Sequence, residues 1–177
     1  MLKTLKNFLN LFKRFNSKVN NTELLLPEKI HINEKIVRAI YSPINLHKNG
    51  EKLNNNFFKP KAGEDDISVN RLDYTTFVFL KHLAKIFENP EYRRNYFGFS
   101  MLKVMEIEDS GLRVIYSPLK IPVKNPFHAD IKIDYIVEKG KELPAEVNYK
   151  IKKLTEKSRL FRDPNPDSKV WNGKLME

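Results

Sequence analysis

The sequence predicts an α+β fold: a small, mostly antiparallel sheet covered by two helices and preceded by a separate N-terminal amphipathic helix. Three observations carry this. Ile131, Ile133 and Tyr135 alternate with Asp130, Lys132 and Asp134, the two-residue period of a half-exposed strand. Phe77, Phe79, Leu80, Leu83, Ala84, Ile86 and Phe87 crowd a stretch that Thr75 or Thr76 can cap and Asn89-Pro90 stops, a helix apolar on most of its faces. Leu2, Leu5, Phe8, Leu9, Leu11, Phe12 and Phe15 fall on one half of a helical wheel, and Lys3, Lys6, Asn7, Asn10, Lys13 and Arg14 on the other.

Taken in order, residues 1–17 read as the basic amphipathic helix, 18–30 as a polar linker, 31–163 as the α+β domain and 164–177 as an irregular tail. Strands are expected near 36–41, 67–71, 112–116 and 129–137. Residues 45–66 hold Gly50, Asn54-Asn55-Asn56, Pro60 and Gly63 and read as loop, with Phe57 and Phe58 as its anchor to the core. Helices over 75–88 and 144–161 are expected to cover one face of the sheet. Pro144 suits the first turn of the second, and Val147, Ile151, Leu154 and Leu160 lie along its inner side. Residues 96–107 are apolar around Gly98 and fit strand or helix equally. In the tail, Trp171 is the residue expected to dock. Arg38-Ala39-Ile40-Tyr41-Ser42-Pro43 matches Arg113-Val114-Ile115-Tyr116-Ser117-Pro118 at five of six positions. This reads either as two strands stopped by proline or as a pseudo-symmetric pair presenting Arg38 and Arg113 alike.

Composition narrows the function classes. Hydrophobic residues make up 41% of the 177, with 12 Phe and 7 Tyr, which is enough for a packed core. The absence of cysteine excludes a disulfide framework, thiolate zinc sites and cysteine nucleophiles. No apolar run is long enough to span a bilayer, and lysines interrupt the leading segment too often for a secretory signal, so a cytoplasmic location is expected. A net charge of +10 and a pI near 9.6 point to an anionic partner: nucleic acid, a lipid surface or an acidic protein. Lys3, Lys6, Lys13, Arg14 and Lys18 all precede the first acid, Glu23.

Catalytic chemistry has one candidate. His128 and Asp130, two apart on a strand, share a face, and a carboxylate beside an imidazole can orient it as a general acid or base. Arg71 and Arg38 would add a phosphate clamp, giving a small hydrolase or nuclease-like enzyme. The plainer reading makes His128 a turn cap and Asp130 a solvated acid. No nucleophile motif, phosphate-cradling glycine loop or metal-cage spacing accompanies the pair, so neither metal nor cofactor is expected. Glu64-Asp65-Asp66 could hold a cation or simply face water.

Binding chemistry has two candidates. Arg93 and Arg94 interleave with Tyr92 and Tyr96, and Lys150, Lys153, Lys157 and Arg159 line the last helix, as on phosphate-contacting surfaces. Leu5, Phe8, Leu9, Phe12 and Phe15 could enter a protein groove, a lipid boundary or the chain's own domain.

One resemblance stands beside these readings. Arg38 followed by a proline, Phe58-Lys59-Pro60, Ser68-Val69-Asn70-Arg71, Pro118 and Asn125-Pro126-Phe127-His128-Ala129-Asp130-Ile131 occur in an order that resembles a family of uncharacterised bacterial proteins. It covers roughly residues 35–155, and Phe127 stands where that family has a small residue. The resemblance implies a bacterial source and that Arg38, Ser68, Arg71 and His128 converge on one site. It implies no activity.

The leading expectation is a non-enzymatic binding or accessory component of a bacterial multi-protein system. Its body would contact nucleic acid and its N-terminal helix a protein partner. The alternatives are the hydrolase, and a peripheral membrane protein anchored by residues 2–16.

Overall fold

The structure is a computed structural model that describes residues 26–121 and 123–174. The expected N-terminal helix and the first part of the linker lie outside the described residues. Six strands form one antiparallel sheet: β1 (Lys35–Pro43), β2 (Asp66–Arg71), β3 (Arg94–Lys103), β4 (Arg113–Tyr116), β5 (His128–Lys132) and β6 (Arg159–Arg162), in the order β4-β5-β2-β1-β3-β6. Three α-helices accompany it among the described residues: α1 (Phe77–Ile86), α2 (Val104–Glu108) and α3 (Ala145–Lys157).

The α+β class and the antiparallel sheet are as expected. The ambiguous stretch 96–107 resolves into most of β3 followed by α2. Its apolar run is continuous because β3 is covered on both faces, which hides the period of a strand. The last helix stops at Lys157, earlier than expected. The chain then turns back as β6, which pairs with β3 through Phe99↔Phe161 and Ser100↔Leu160. The strand expected to reach 137 stops at Lys132: the Ile133 amide turns to the Asp65 carbonyl, and Asp134 takes a left-handed conformation with φ 57°.

The two main helices cover opposite faces, not one face as the sequence suggested. Ile36, Ile67, Val69, Leu102, Ala129 and Ile131 form the first face, packed under Ile151 and Leu154 of α3, Ile107 of α2 and the loop residues Phe57 and Phe58. Those phenylalanines meet edge to face, 4.6 Å between centroids, and pin the loop as expected. Val37, Tyr41, Phe99 and Met101 form the second face under Leu80 and Ala84 of α1. Thr76 caps α1 by accepting from the Phe79 amide.

Trp171 docks on this second face, 5.3 Å from Phe77 and 5.4 Å from Phe99. What fixes the tail is Lys81 of α1. Its ammonium pairs with Asp163 at 2.6 Å and donates to the carbonyls of Asn165 and Val170, with both charged side chains out of water. An isolated buried ammonium is costly, so the tail is held by what that charge requires.

Candidate functional site

Strand register decides which nominated residues can meet. Asn70 lies opposite His128, and Ser68 opposite Asp130, so these four side chains share the second face. Arg71 is one residue past Asn70 and pairs with Ile36, which places it on the first face. Arg38 is two residues past Ile36 and is on the first face too, over the Phe57 ring at 5.4 Å. The convergence of Arg38, Ser68, Arg71 and His128 therefore does not occur: the arginines and the His128–Asp130 pair are on opposite sides of the sheet.

Arg71 and Arg38 each have a structural occupation. Arg71, fully buried, is bidentate to Glu34, with Nε to Oε2 and Nη2 to Oε1 both at 2.8 Å. Its Nη1 donates to the Pro27 carbonyl at 2.6 Å, and its plane lies over the Tyr74 and Tyr116 rings. All three guanidinium nitrogens are spent fastening residues 27–34 to the sheet. Residues 26–30, read from the sequence as linker, are thus partly held, with Leu26 buried. Arg38 donates through Nη1 to the Ser68 carbonyl at 3.0 Å, just where pairing of β1 with β2 ends. Burial brings its pKa down to about 10.

His128, 5% exposed, places Nδ1 2.8 Å from the Ser117 carbonyl and 3.0 Å from the Ser117 hydroxyl. A carbonyl only accepts, so Nδ1 carries the proton and cannot serve Ser117 as a base. Nε2 faces the Asp130 carboxylate at 3.7 Å, beyond hydrogen-bond range. Asp65 and Asp66 both grip Lys132, at 2.9 and 2.8 Å. Hydrogen bonding to that ammonium lowers the Asp65 pKa. Among the described residues no group of three or more side chains is placed to hold a metal ion.

The basic row of α3, with Arg159 at the start of β6, is also occupied. Lys150 pairs with Glu146 at 2.8 Å, Lys153 donates to the Asp109 carbonyl at 2.6 Å, Lys157 meets the Asp109 carboxylate at 3.3 Å, and Arg159 pairs with Glu106. Cations here satisfy the carbonyl end of α2 and tie it to α3. Arg94, its guanidinium 4.2 Å from the Tyr41 ring, stands seven residues along β3 from Met101, the register partner of Arg159. That is about 23 Å of extended chain, so the two basic groups do not merge into one stripe. The repeated hexapeptides are not equivalent either. Arg38 is on the first face of a central strand, whereas Arg113 is on the second face of the edge strand β4, paired with Asp134 at 2.8 Å.

One feature did not register as a site in the sequence. Between β4 and β5, Leu119 and Asn125 exchange backbone hydrogen bonds of 3.0 and 2.8 Å and pinch off a short projecting loop. Beyond the pinch stand Lys120, Ile121, Val123 and Lys124, with Ile121 81% exposed. Residues 117–127 contain two lysines and no acid, and Leu119, Ile121 and Val123 alternate, which is the signal that could have found it. Its base is tied to the place where the described chain begins. Tyr116 donates to the Pro126 carbonyl, the Arg71 amide donates to the Phe127 carbonyl, and the Arg71 side chain holds Pro27. No helix among the described residues is long and apolar enough to cross a membrane. No protein-family model, no curated protein and no solved structure matches the chain.

Proposed function

We propose that this chain is a non-enzymatic binding or accessory component of a bacterial multi-protein system. It would hold an anionic partner through the end of the body where loop 117–127 and Leu26 meet, and a protein partner through the segment before Leu26. The observation that carries this reading is the occupation of Arg71: each of its three nitrogens is engaged by Glu34 or Pro27 and its side chain is fully buried, so it is not presented to a substrate phosphate. The free cationic character is elsewhere. Lys120 and Lys124 form no ion pair among the described residues, nor do Lys48, Lys52, Lys59, Arg93 and Arg162, and five cations precede the first acid in the chain.

The row Lys150, Lys153, Lys157 and Arg159, which in sequence points to nucleic acid, has its charges largely engaged within the body. A polyanion of any backbone chemistry fits the remaining cations. The test is retention of the full chain on heparin, with elution followed between about 50 and 500 mM salt. Retention at low salt with steep release is expected. Passage straight through at low salt ends the reading.

A further inference from the structure

We infer that β4 is the edge through which two copies of this chain pair, in an antiparallel β4–β4 ladder about a twofold axis at Ile115. This goes beyond the anion-binding reading and does not depend on it. β4 stands at one end of the strand order and pairs only with β5 among the described residues. The Ser117 amide donates to the His128 carbonyl at 3.2 Å, one step beyond the register pair Tyr116↔Ala129. Bonded and non-bonded pairs alternate along an antiparallel ladder. Arg113, Ile115 and Ser117 therefore bond towards β5, and the amides and carbonyls of Val114 and Tyr116 point away from the sheet. Among the described residues nothing hydrogen-bonds to them.

Parity then selects the partner. Val114 and Tyr116 are on the first face, Arg113 and Ile115 on the second. Residues opposite one another in an antiparallel ladder share a face. An axis at Ile115 satisfies this: Val114 of each copy lies opposite Tyr116 of the other, and every outward amide and carbonyl of the two residues is bonded. Moving the axis one residue calls on the Leu112 amide, already held by the Ile107 carbonyl, or on Pro118, which has no amide hydrogen. Ile115, 39% exposed, then meets its own copy in a non-bonded pair, where side chains approach most closely.

Charge permits the contact. Val114, Ile115 and Tyr116 are neutral strand formers, and Arg113 is paired with Asp134 at 2.8 Å. The other edge, β6, has Arg159 and Arg162 at its ends, the kind of charge that keeps an edge unpaired. About the Ile115 axis the two Arg113 residues lie at opposite ends of the ladder, each against a Ser117. The two Asp130 residues, one on each flank, stay three strand spacings apart, about 14 Å.

Sedimentation velocity of the full chain between about 5 and 200 μM should show monomer converting to dimer, as for a small transient interface. Each chain carries +10, so raising the salt from about 50 to 500 mM should strengthen association. Polyanion binding responds to salt in the opposite sense, so the two readings fail separately. Ile115→Lys sets ammonium groups face to face, and Val114→Pro removes an outward donor without touching the β5 ladder. Each should weaken the dimer about tenfold or more. Ile115→Val should dimerise as the parent does. Ile115 is exposed, so Ile115→Lys should keep the parent's melting temperature within a few degrees, and it decides the matter alone if Val114→Pro does not fold. In hydrogen exchange, the Val114 and Tyr116 amides should slow as concentration rises. A chain still monomeric at about 200 μM overturns the inference. So does a dimer indifferent to Ile115→Lys. If the two amides are already slow in the dilute monomer, the edge is closed within one chain and the inference is likewise overturned.

Discussion

Lys81 and Asp163 meet at 2.6 Å with side chains 1% and 0% exposed, across 82 positions of sequence, and this pair sets where the C-terminal tail lies. Removing one partner of such a pair leaves an uncompensated buried charge, at about 3–5 kcal/mol. Asp163→Asn should therefore lower the urea midpoint sharply. Because Trp171 is the single tryptophan, its emission should shift to the red before the sheet unfolds. Asp163→Asn with Lys81→Met should recover most of the loss, as the charge is removed with its partner.

Arg71→Lys tests whether this residue is a fastener. Lysine keeps the charge but cannot reproduce the two parallel bonds to Glu34 and the third to Pro27. A loss of about 2–3 kcal/mol in chemical denaturation is expected. It should be accompanied by faster proteolysis near residues 26–34. A ligand-binding arginine would leave stability nearly unchanged.

His128→Asn and His128→Ala separate a structural imidazole from a catalytic one. The asparagine amide can replace Nδ1–H as donor to the Ser117 carbonyl; alanine cannot. Alanine should cost about 1–3 kcal/mol more than asparagine in thermal or urea unfolding. Equal stability of the two variants would contradict the structural role.

Alkaline unfolding should be steep, and Tyr96 is a cause. Burial, followed by the charge of Asp163, raises its pKa far above the ordinary 10.0. A group whose folded pKa is raised contributes stability that is fully present below its unfolded pKa and lost as the pH rises above it. Between pH 9 and pH 11.5 the parent should lose stability faster than Tyr96→Phe. At pH 8 the two should differ by about 1 kcal/mol at most, the net worth of one hydroxyl contact. Urea midpoints at each pH, with tyrosinate absorbance, measure both.

These contacts explain what was legible in the sequence. Local pattern was readable: the alternation from Asp130 to Ile133, the Thr76 cap and the Phe57-Phe58 anchor all describe neighbours in the chain. Facing was not. Nothing in the periodicity of α1 or α3 states which side of a sheet each will cover, and Gly98 and Phe99 disguise β3 because both its faces are buried. Partnership was least readable. Glu34 is 37 positions from Arg71 and Glu106 is 53 from Arg159, so a row of basic residues looked available when its acids lay far along the chain. The same holds for His128 and Arg71: their separation depends on an odd or even offset in strand pairing, fixed by the register of Asn70 with His128.

Order of synthesis adds a consequence. A growing chain presents α1, with Lys81 on its inner side, long before Asp163, Asn165 and Val170 exist to receive that ammonium. Until they emerge, docking α1 on the sheet would strand a charge, so closure of the second face waits for residues 163–170 to be made. Messages cut short before codon 163 should yield products that cannot seal this face and are exposed to quality-control proteases, however complete their sheet.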